Sequence, residues 1–431
     1  MAIKKYYNLA KNTLFPINRS ITGTGVRKTL NIIQKEFPEL KIKKFKSGKK
    51  VFDWIIPPEW NVRDAYILDK NNKKIINFKV NNLHLMGYSI PLRKQVSKKE
   101  LLKNIYYLEN QPDAIPYITS YYKRRWGFCI SYKQYISINK NYSSNDKFKV
   151  IIDSSFKKKG ILNYGELILK GVKDPKKEIL ISTYICHPSM ANNELSGPIV
   201  SMSLINYFRK KKLNKTLRFI FIPETVGSIS YIHNNLKNLK ERVIGGYNLT
   251  CIGDERQHSC IFSKYTNSPS DEALIEAYRL CKIKKYKVHS FLERGSDERQ
   301  YNSPGIDLKI TSIFRTKYWE YAEYHTSLDD FKLVTLKGCN GGFNVAKKSI
   351  EIMLKRIYPK SNILCEPKMD KRGLLSSIST KERNELSRSY LNFLQYSDGI
   401  NSLEGISRMI KLDLKIVKKI YKTLSNLKLV T

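Results

Sequence analysis

The residues able to do chemistry stand at the ends of short apolar runs. His187 follows ILISTYIC, Glu224 follows LRFIFIP, Asp254 follows YNLTCIG, and His325 lies between WEYAEY and TSLDD. Asn193 falls six residues past His187, in the polar loop HPSMANNELSG, with Asn192 and Glu194 beside it. Two imidazoles with carboxylates suit zinc, a borderline ion that accepts nitrogen and oxygen donors. Zinc with an open position lowers the pKa of its water toward ~7, and a nearby carboxylate can then take the proton. A lone histidine is more often a hydrogen-bonded cap, but this chain has only 6, and two fall in loops of this type.

Those loops need elements to position them. From about residue 147, FKVIIDSSF, GELILKG, ILISTYI, LRFIFI, VIGGYNLTCI and LKITSIF read as strands, with helices predicted over 198–209, 271–280 and 342–357. This alternation predicts an α/β fold with a mostly parallel twisted sheet flanked by helices. Loops leaving the carboxyl ends of such strands converge on one edge, where ligands bind. Upstream, Val26, Leu30, Ile33 and Phe37 recur at helical spacing. Residues 51–91 break into short strands around Pro57-Pro58 and a hairpin tip at Asn71-Asn72, a small β module. KKELLKNIYYL predicts a helix. In YYKRRWGFCIS, the run Arg124-Arg125-Trp126 could stack on and pair with an anionic group; the alternative is a packed Trp beside solvated arginines.

After a Pro-containing linker, TKERNELSRSYLNFLQYS, SLEGISRMI and LDLKIVKKIYKTLSNL predict three helices with winged-helix loop lengths. The third is basic, which suits DNA. Too few residues follow it for a full wing hairpin, which favours docking to a protein or to a second copy of the chain.

Composition bounds the rest. A chain of 431 residues calls for two or three domains. The net charge of +40 comes from lysines spread from Lys4 to Lys428, as a coding bias would leave them, and its field favours an acidic substrate. The 7 cysteines lack metal-knuckle spacing and read as reduced thiols of a cytoplasmic protein. Without an apolar N-terminal core or a long apolar run, no membrane association is expected.

NRSITGTGVRKTL, FDWIIPPEWNVRDAYI, CHPSMANNELSG, FIPETVGSISY, GSDERQYNSPGI and YHTSLDD together resemble the zinc metallo-aminopeptidase superfamily, which includes glutamate carboxypeptidase and glutaminyl cyclase. The resemblance is closest to a bacterial branch with an aminopeptidase-like domain, an inserted small β domain and a C-terminal winged helix, often linked to polysaccharide biosynthesis. It implies an aminopeptidase-like domain over 1–46 and 126–360, an insert over 47–125, and a linker and winged-helix-like all-α domain over 361–431. It also implies a zinc-dependent hydrolase of peptide or small amide bonds, with one or two ions. His187 and His325 match the family's metal histidines, and Ser296-Asp297 matches its substrate-side motif. The bridging aspartate of the family is Asn193 here. Where the family has two adjacent glutamates, only Glu224 remains, as base or as ligand. The next metal aspartate aligns with Thr250, with Asp254 four residues on.

The expected metal set is therefore His187, Glu224, Asp254, His325 and Asn193, with Glu224 the catalytic group. Asp297, Glu298 and Tyr324 are expected to hold the substrate. A neutral amide at Asn193 favours one zinc over two. The alternative is a catalytically degenerate binding or regulatory protein that docks DNA or a partner through its winged helix.

Overall fold

The computed structural model describes residues 2–374 and 385–431. Strand β1 (Lys41–Lys46) precedes β2 (Glu59–Leu68), β3 (Lys74–Asn77), β4 (Leu92–Ser97) and β5 (Lys147–Lys157). There follow β6 (Ile161–Leu169), β7 (Asp174–Tyr184), β8 (Lys215–Ile222), β9 (Val243–Leu249), β10 (Ser259–Ile261), β11 (Lys287–His289) and β12 (Ile310–Phe314). An eight-stranded sheet has the order β1-β6-β8-β7-β9-β12-β10-β11. Its middle strands β8, β7, β9 and β12 run parallel, while β6 and β10 flank them antiparallel.

Parallel strands are covered on both faces and so read as continuous apolar runs. β8 is buried at every position. Side chains alternate across the sheet, so Leu217, Phe219 and Phe221 enter one core while Ile220 and Ile222 enter the other. The first core packs under α1 (Ala2–Leu9), α2 (Thr24–Glu36) and α3 (Ser196–Phe208). The opposite face is covered by α4 (Val226–Arg242), whereas α5 (Pro269–Leu280) and α6 (Leu336–Lys355) return to the first. Each observed helix begins two to six residues before its predicted start, and α5 shows why. Ser268 accepts from the backbone of Asp271, whose side chain accepts in return, and Pro269 opens the helix.

The insert differs from the expectation in two ways. Its four-stranded sheet, β3-β2-β5-β4, takes a central strand from residues 147–157, beyond the boundary at 125. FKVIIDSSF therefore lies in this second sheet, because β5 pairs along its length with β2. The sheet also has no separate core, since Ala65, Ile67, Val150 and Ile152 join the same apolar cluster as Leu180 and Ile220 of the main sheet. The Asn71-Asn72 hairpin tip is present, with Asn72 at φ +59 between the paired β2 and β3. Of KKELLKNIYYL only Lys98–Lys103 is helical.

The C-terminal unit holds α7 (Glu385–Gln395), α8 (Leu403–Met409) and α9 (Leu414–Asn426); the expected start of α7 at 380–384 lies outside the described residues. Val417, Ile420 and Leu424 bury one stripe of α9, leaving Lys415, Lys418, Lys419 and Lys422 exposed. Ser361 bridges to Val430 and Lys360 to Asp398. Arg408 pairs with Glu272 of α5 at 2.6 Å. No helix among the described residues is long and apolar enough to cross a membrane.

Candidate active site

The carboxyl ends of β7, β8 and β9 deliver His187, Glu224 and Thr250 to one edge of the sheet. His325 reaches them from the segment after β12. Its ring centre lies 5.3 Å from that of His187. The Nε2 of His187 is 3.7 Å from a carboxylate oxygen of Glu224. The other ring nitrogen, Nδ1, meets Glu194 at 3.0 Å, and Glu194 in turn accepts from Arg19 Nε at 3.1 Å. Arg19 also donates to the His187 and Leu14 carbonyls. This buried chain fixes the ring so that Nε2 faces the cleft.

Charge follows the packing. Burial opposes the His187 imidazolium, but contacts with Cys186 and Glu194 carry its pKa well above the usual histidine value. The Cys186 thiol is itself pushed up to about 11 by burial, so it stays neutral and Glu194 is the effective partner. Burial, then the charge on His187, hold His325 well below the usual value. Burial raises Glu224 against the pull of His187. Asp297 is raised to about 7 by burial and by the charge of Glu224. Its Oδ1 accepts from Thr225 N and Ser228 Oγ, and its Oδ2 is buried without a partner. Non-glycine left-handed backbone at His325 (φ +55) and Thr225 (φ +61) marks strain held at this site.

Two expected site residues are taken up by scaffold hydrogen bonds. Asp254 spends both oxygens on the scaffold, accepting from Arg256 N, Asn192 Nδ2, and the N and Oγ1 of Thr316. Glu298 accepts from Gly295 N, Ser296 N, Tyr318 OH, Asn248 Nδ2 and Ser312 Oγ. Both oxygens of each accept from backbone or side-chain donors, so each carboxylate ties separate segments of the chain together.

Asn193 reaches the site but is engaged: its Oδ1 accepts from Tyr184 OH at 2.8 Å, and its Nδ2 is buried without a partner. The same phenol makes a close contact with Thr250 Oγ1. Tyr184 therefore fills the space between the two positions where the resemblance places carboxylates. Tyr324 stacks on His325 with centres 4.0 Å apart. Sequence reasoning missed Tyr117, which sets its edge against His187 at 5.4 Å and His325 at 5.2 Å. It comes from the insert and carries no local signal.

The 5.3 Å between the ring centres of His187 and His325 matches one zinc, but among the described residues it is the ligand atoms of Cys186, His187 and Glu194 that gather within 4.8 Å, not those of His187, Glu224 and His325. Two imidazoles bound at 2.0–2.1 Å to a tetrahedral ion have ring centres roughly 5 Å apart, and neighbouring ligand atoms roughly 3.4 Å apart. At the ~3.7 Å spacing of two-metal sites, two divalent ions repel by roughly 18 kcal/mol even at an effective dielectric of ~20. Asn193, Thr225 and Thr250 are neutral and cannot offset it.

The fold is that of an aminopeptidase-like α/β protein. Residues 7–356 match the family model of a domain of unknown function, DUF4910, and residues 356–431 match a winged helix-turn-helix. The chain belongs to the DUF4910 family. A protein of Clostridium acetobutylicum, provisionally named for polysaccharide biosynthesis with an aminopeptidase-like domain, is 38% identical over 419 residues, covering 96% of this chain and 92% of its own. A crystal structure of a provisionally named peptidase from the same species superposes with a TM-score of 0.78 at 36% identity, covering 100% and 96% of the two chains. BSAP, a zinc aminopeptidase from Bacillus subtilis, shares the fold at a TM-score of 0.60 and 14% identity, over 83% of this chain and 95% of that one.

Proposed function

We propose that this chain is a one-zinc hydrolase of amide bonds, with His187, His325 and Glu224 as the metal ligands. The observation that carries the reading is the meeting of the two imidazoles at 5.3 Å beside Glu224. Zinc there supplies Lewis acidity to an amide carbonyl and to water. With Glu224 occupied as a ligand, proton transfer falls to Asp297, whose free Oδ2 and pKa of about 7 suit a general acid–base at neutral pH. Thr225 N and Ser228 Oγ hold that carboxyl by its other oxygen. Tyr324 and Tyr117 wall the cleft against bulk water. The name of the Clostridium acetobutylicum relative supports a substrate from cell-surface polysaccharide synthesis, a peptide or an acylated amino sugar, handled in the cytoplasm. The winged-helix unit, with its exposed lysines on α9, serves as a docking element for a partner, a second copy, or DNA.

Tyr184 favours a second reading, a retired site kept for binding, because its phenol sits where a metal-holding carboxylate would otherwise reach. Plasma mass spectrometry of the purified chain separates the two. About one zinc per chain, lost in His187→Ala together with amide hydrolysis, supports the hydrolase. A value near zero after zinc reconstitution overturns it.

A further inference from the structure

One cation at the site has no anion of its own. Arg299 follows Asp297 by two residues in GSDERQY, on the short helix Glu298–Tyr301. Its Nη2 donates to Thr225 Oγ1 at 2.7 Å, and the backbone N of the same Thr225 donates to Asp297 Oδ1 at 2.8 Å. Thr225 is the residue after Glu224 and holds left-handed backbone, φ +61, just before α4. The guanidinium is therefore fastened to the residue next to the carboxylate that lies 3.7 Å from His187 Nε2.

Among the described residues no carboxylate pairs with Arg299. Its Nε is buried without a partner, and no protein group bonds its Nη1. The other arginines near the site are spent: Arg19 on Glu194, and Arg256 on Glu323, the neighbour of Tyr324. Burial raises the carboxyls of Glu224 and Asp297 and the Tyr121 phenol, and the charge on Arg299 opposes it at all three. Those groups come from three segments, which places the guanidinium where the insert meets the carboxyl end of β8. This part of the site is open. Tyr121 is 44% exposed and the Glu224 side chain 18%, with Thr225 and Arg299 half-buried, whereas His187 and Asp297 are closed off. A half-buried guanidinium with an unmet N–H gains from an acceptor, and a planar anion takes two of its N–H bonds at once.

We propose that Arg299 binds an anionic group of the substrate, a carboxylate or a phosphoryl group, so that the site selects acidic amides. The inference rests on the cleft being the substrate site, and it deepens the proposed function by naming what the substrate carries besides its amide. The edge formed by Nη1 and Nη2 is the one left for the anion, since Nε is closed in and Nη2 spends one of its two hydrogens on Thr225. Thr225 ties this grip to the reacting end, holding Arg299 by its hydroxyl and Asp297 by its backbone. The net charge of +40 attracts any anion, but salt screens that field, whereas a held guanidinium still discriminates.

Calorimetric titration of the full chain, after zinc reconstitution and at about 0.15 M salt, tests this with succinate, succinamate and 3-phosphonopropionate. Each probe offers a carboxylate to the zinc position, and its far end is a second carboxylate, a neutral amide or a phosphonate. At least one of the two doubly acidic probes should bind about tenfold tighter than succinamate or better. Which of them does so separates carboxylate from phosphoryl recognition. Arg299→Met should cut that margin to about twofold or less and leave succinamate itself within about twofold, while Arg299→Lys, which keeps the charge, should retain part of the margin. Arg299→Gln, which can still donate to Thr225, carries the same expectation if the Met variant does not fold. Arg294→Met, exposed and five residues upstream, removes the same charge and should keep the margin. The inference is overturned if neither acidic probe outbinds succinamate, if the margin survives Arg299→Met, or if Arg294→Met erases it equally. Zinc counted on the same sample keeps the readings apart. A chain that holds zinc but binds the three probes alike sinks only this inference; a chain without zinc sinks the hydrolase, and the Arg299 margin is still read.

Discussion

Arg19 Nε lies 3.1 Å from Glu194, with neither side chain exposed, and the second Glu194 oxygen holds His187 Nδ1 at 3.0 Å. The pair joins the start of the chain to His187. Removing one member of a buried pair strands the other charge, at a cost of about 3–5 kcal/mol. Arg19→Met should therefore destabilise the chain by that amount in urea denaturation. Glu194→Gln keeps the shape but weakens the hold on the imidazole, and should lower zinc affinity ~10–100-fold by competition with a chelating dye. Unchanged zinc affinity in Glu194→Gln would show that the chain does not orient the ring.

Neutral residues should set the zinc count. Replacing Asn193 and Thr250 by Asp adds two carboxylates, and Tyr184→Phe removes the phenol between them. The triple variant should rise from one zinc per chain toward two, measured by plasma mass spectrometry after dialysis. If the wild-type chain already holds two, the neutral positions do not exclude the second ion.

The parallel core of the fold was legible because β8 and the last seven residues of β7 are buried, and they carry the mostly apolar runs LRFIFI and ILISTY. His187 and Glu224 were legible for the same reason, each standing just past such a run, whereas WEYAEY forms turns rather than a strand and His325 lies eleven residues beyond the end of β12. Asp254 and Glu298 looked similar in sequence, yet their roles depend on Thr316, Tyr318, Asn248 and Asn192, which are far away along the chain. No local pattern encodes those partners. The placement of β5 was hidden because a strand does not announce which sheet it will join; pairing with β2 decides it. Tyr117 and Arg19 were invisible for a related reason, since each acts on the site from a segment with no motif of its own.

Scaffold and ligand roles separate by experiment. Asp254→Ala and Glu298→Ala leave several buried donors without acceptors, and each unmet donor costs about 1–3 kcal/mol. Both variants should lose several kcal/mol of stability in urea. Asp254→Asn, which keeps the shape, should retain one zinc per chain. A loss of zinc in a folded Asp254→Asn protein would return Asp254 to the ligand set.

Asp329 supplies a pH test away from His187, Glu224 and His325. Its carboxyl is fully buried, and burial raises its pKa from 3.8 to about 7, against the amide donors of Asn192 and Asn193 and the Tyr321 hydroxyl. Between those two values the unfolded chain has released this proton and the native chain still holds it. Stability must then fall as pH rises through that window, by at most about 1.4 kcal/mol per pH unit for one proton. Asp329→Asn removes the proton from the balance. Urea denaturation at pH 4.5, 6 and 7.5 should show wild-type stability declining more steeply than that of the variant, with the two slopes converging above pH 7. Parallel slopes across the whole range would mean that Asp329 ionises near its ordinary value, with its three donors outweighing burial.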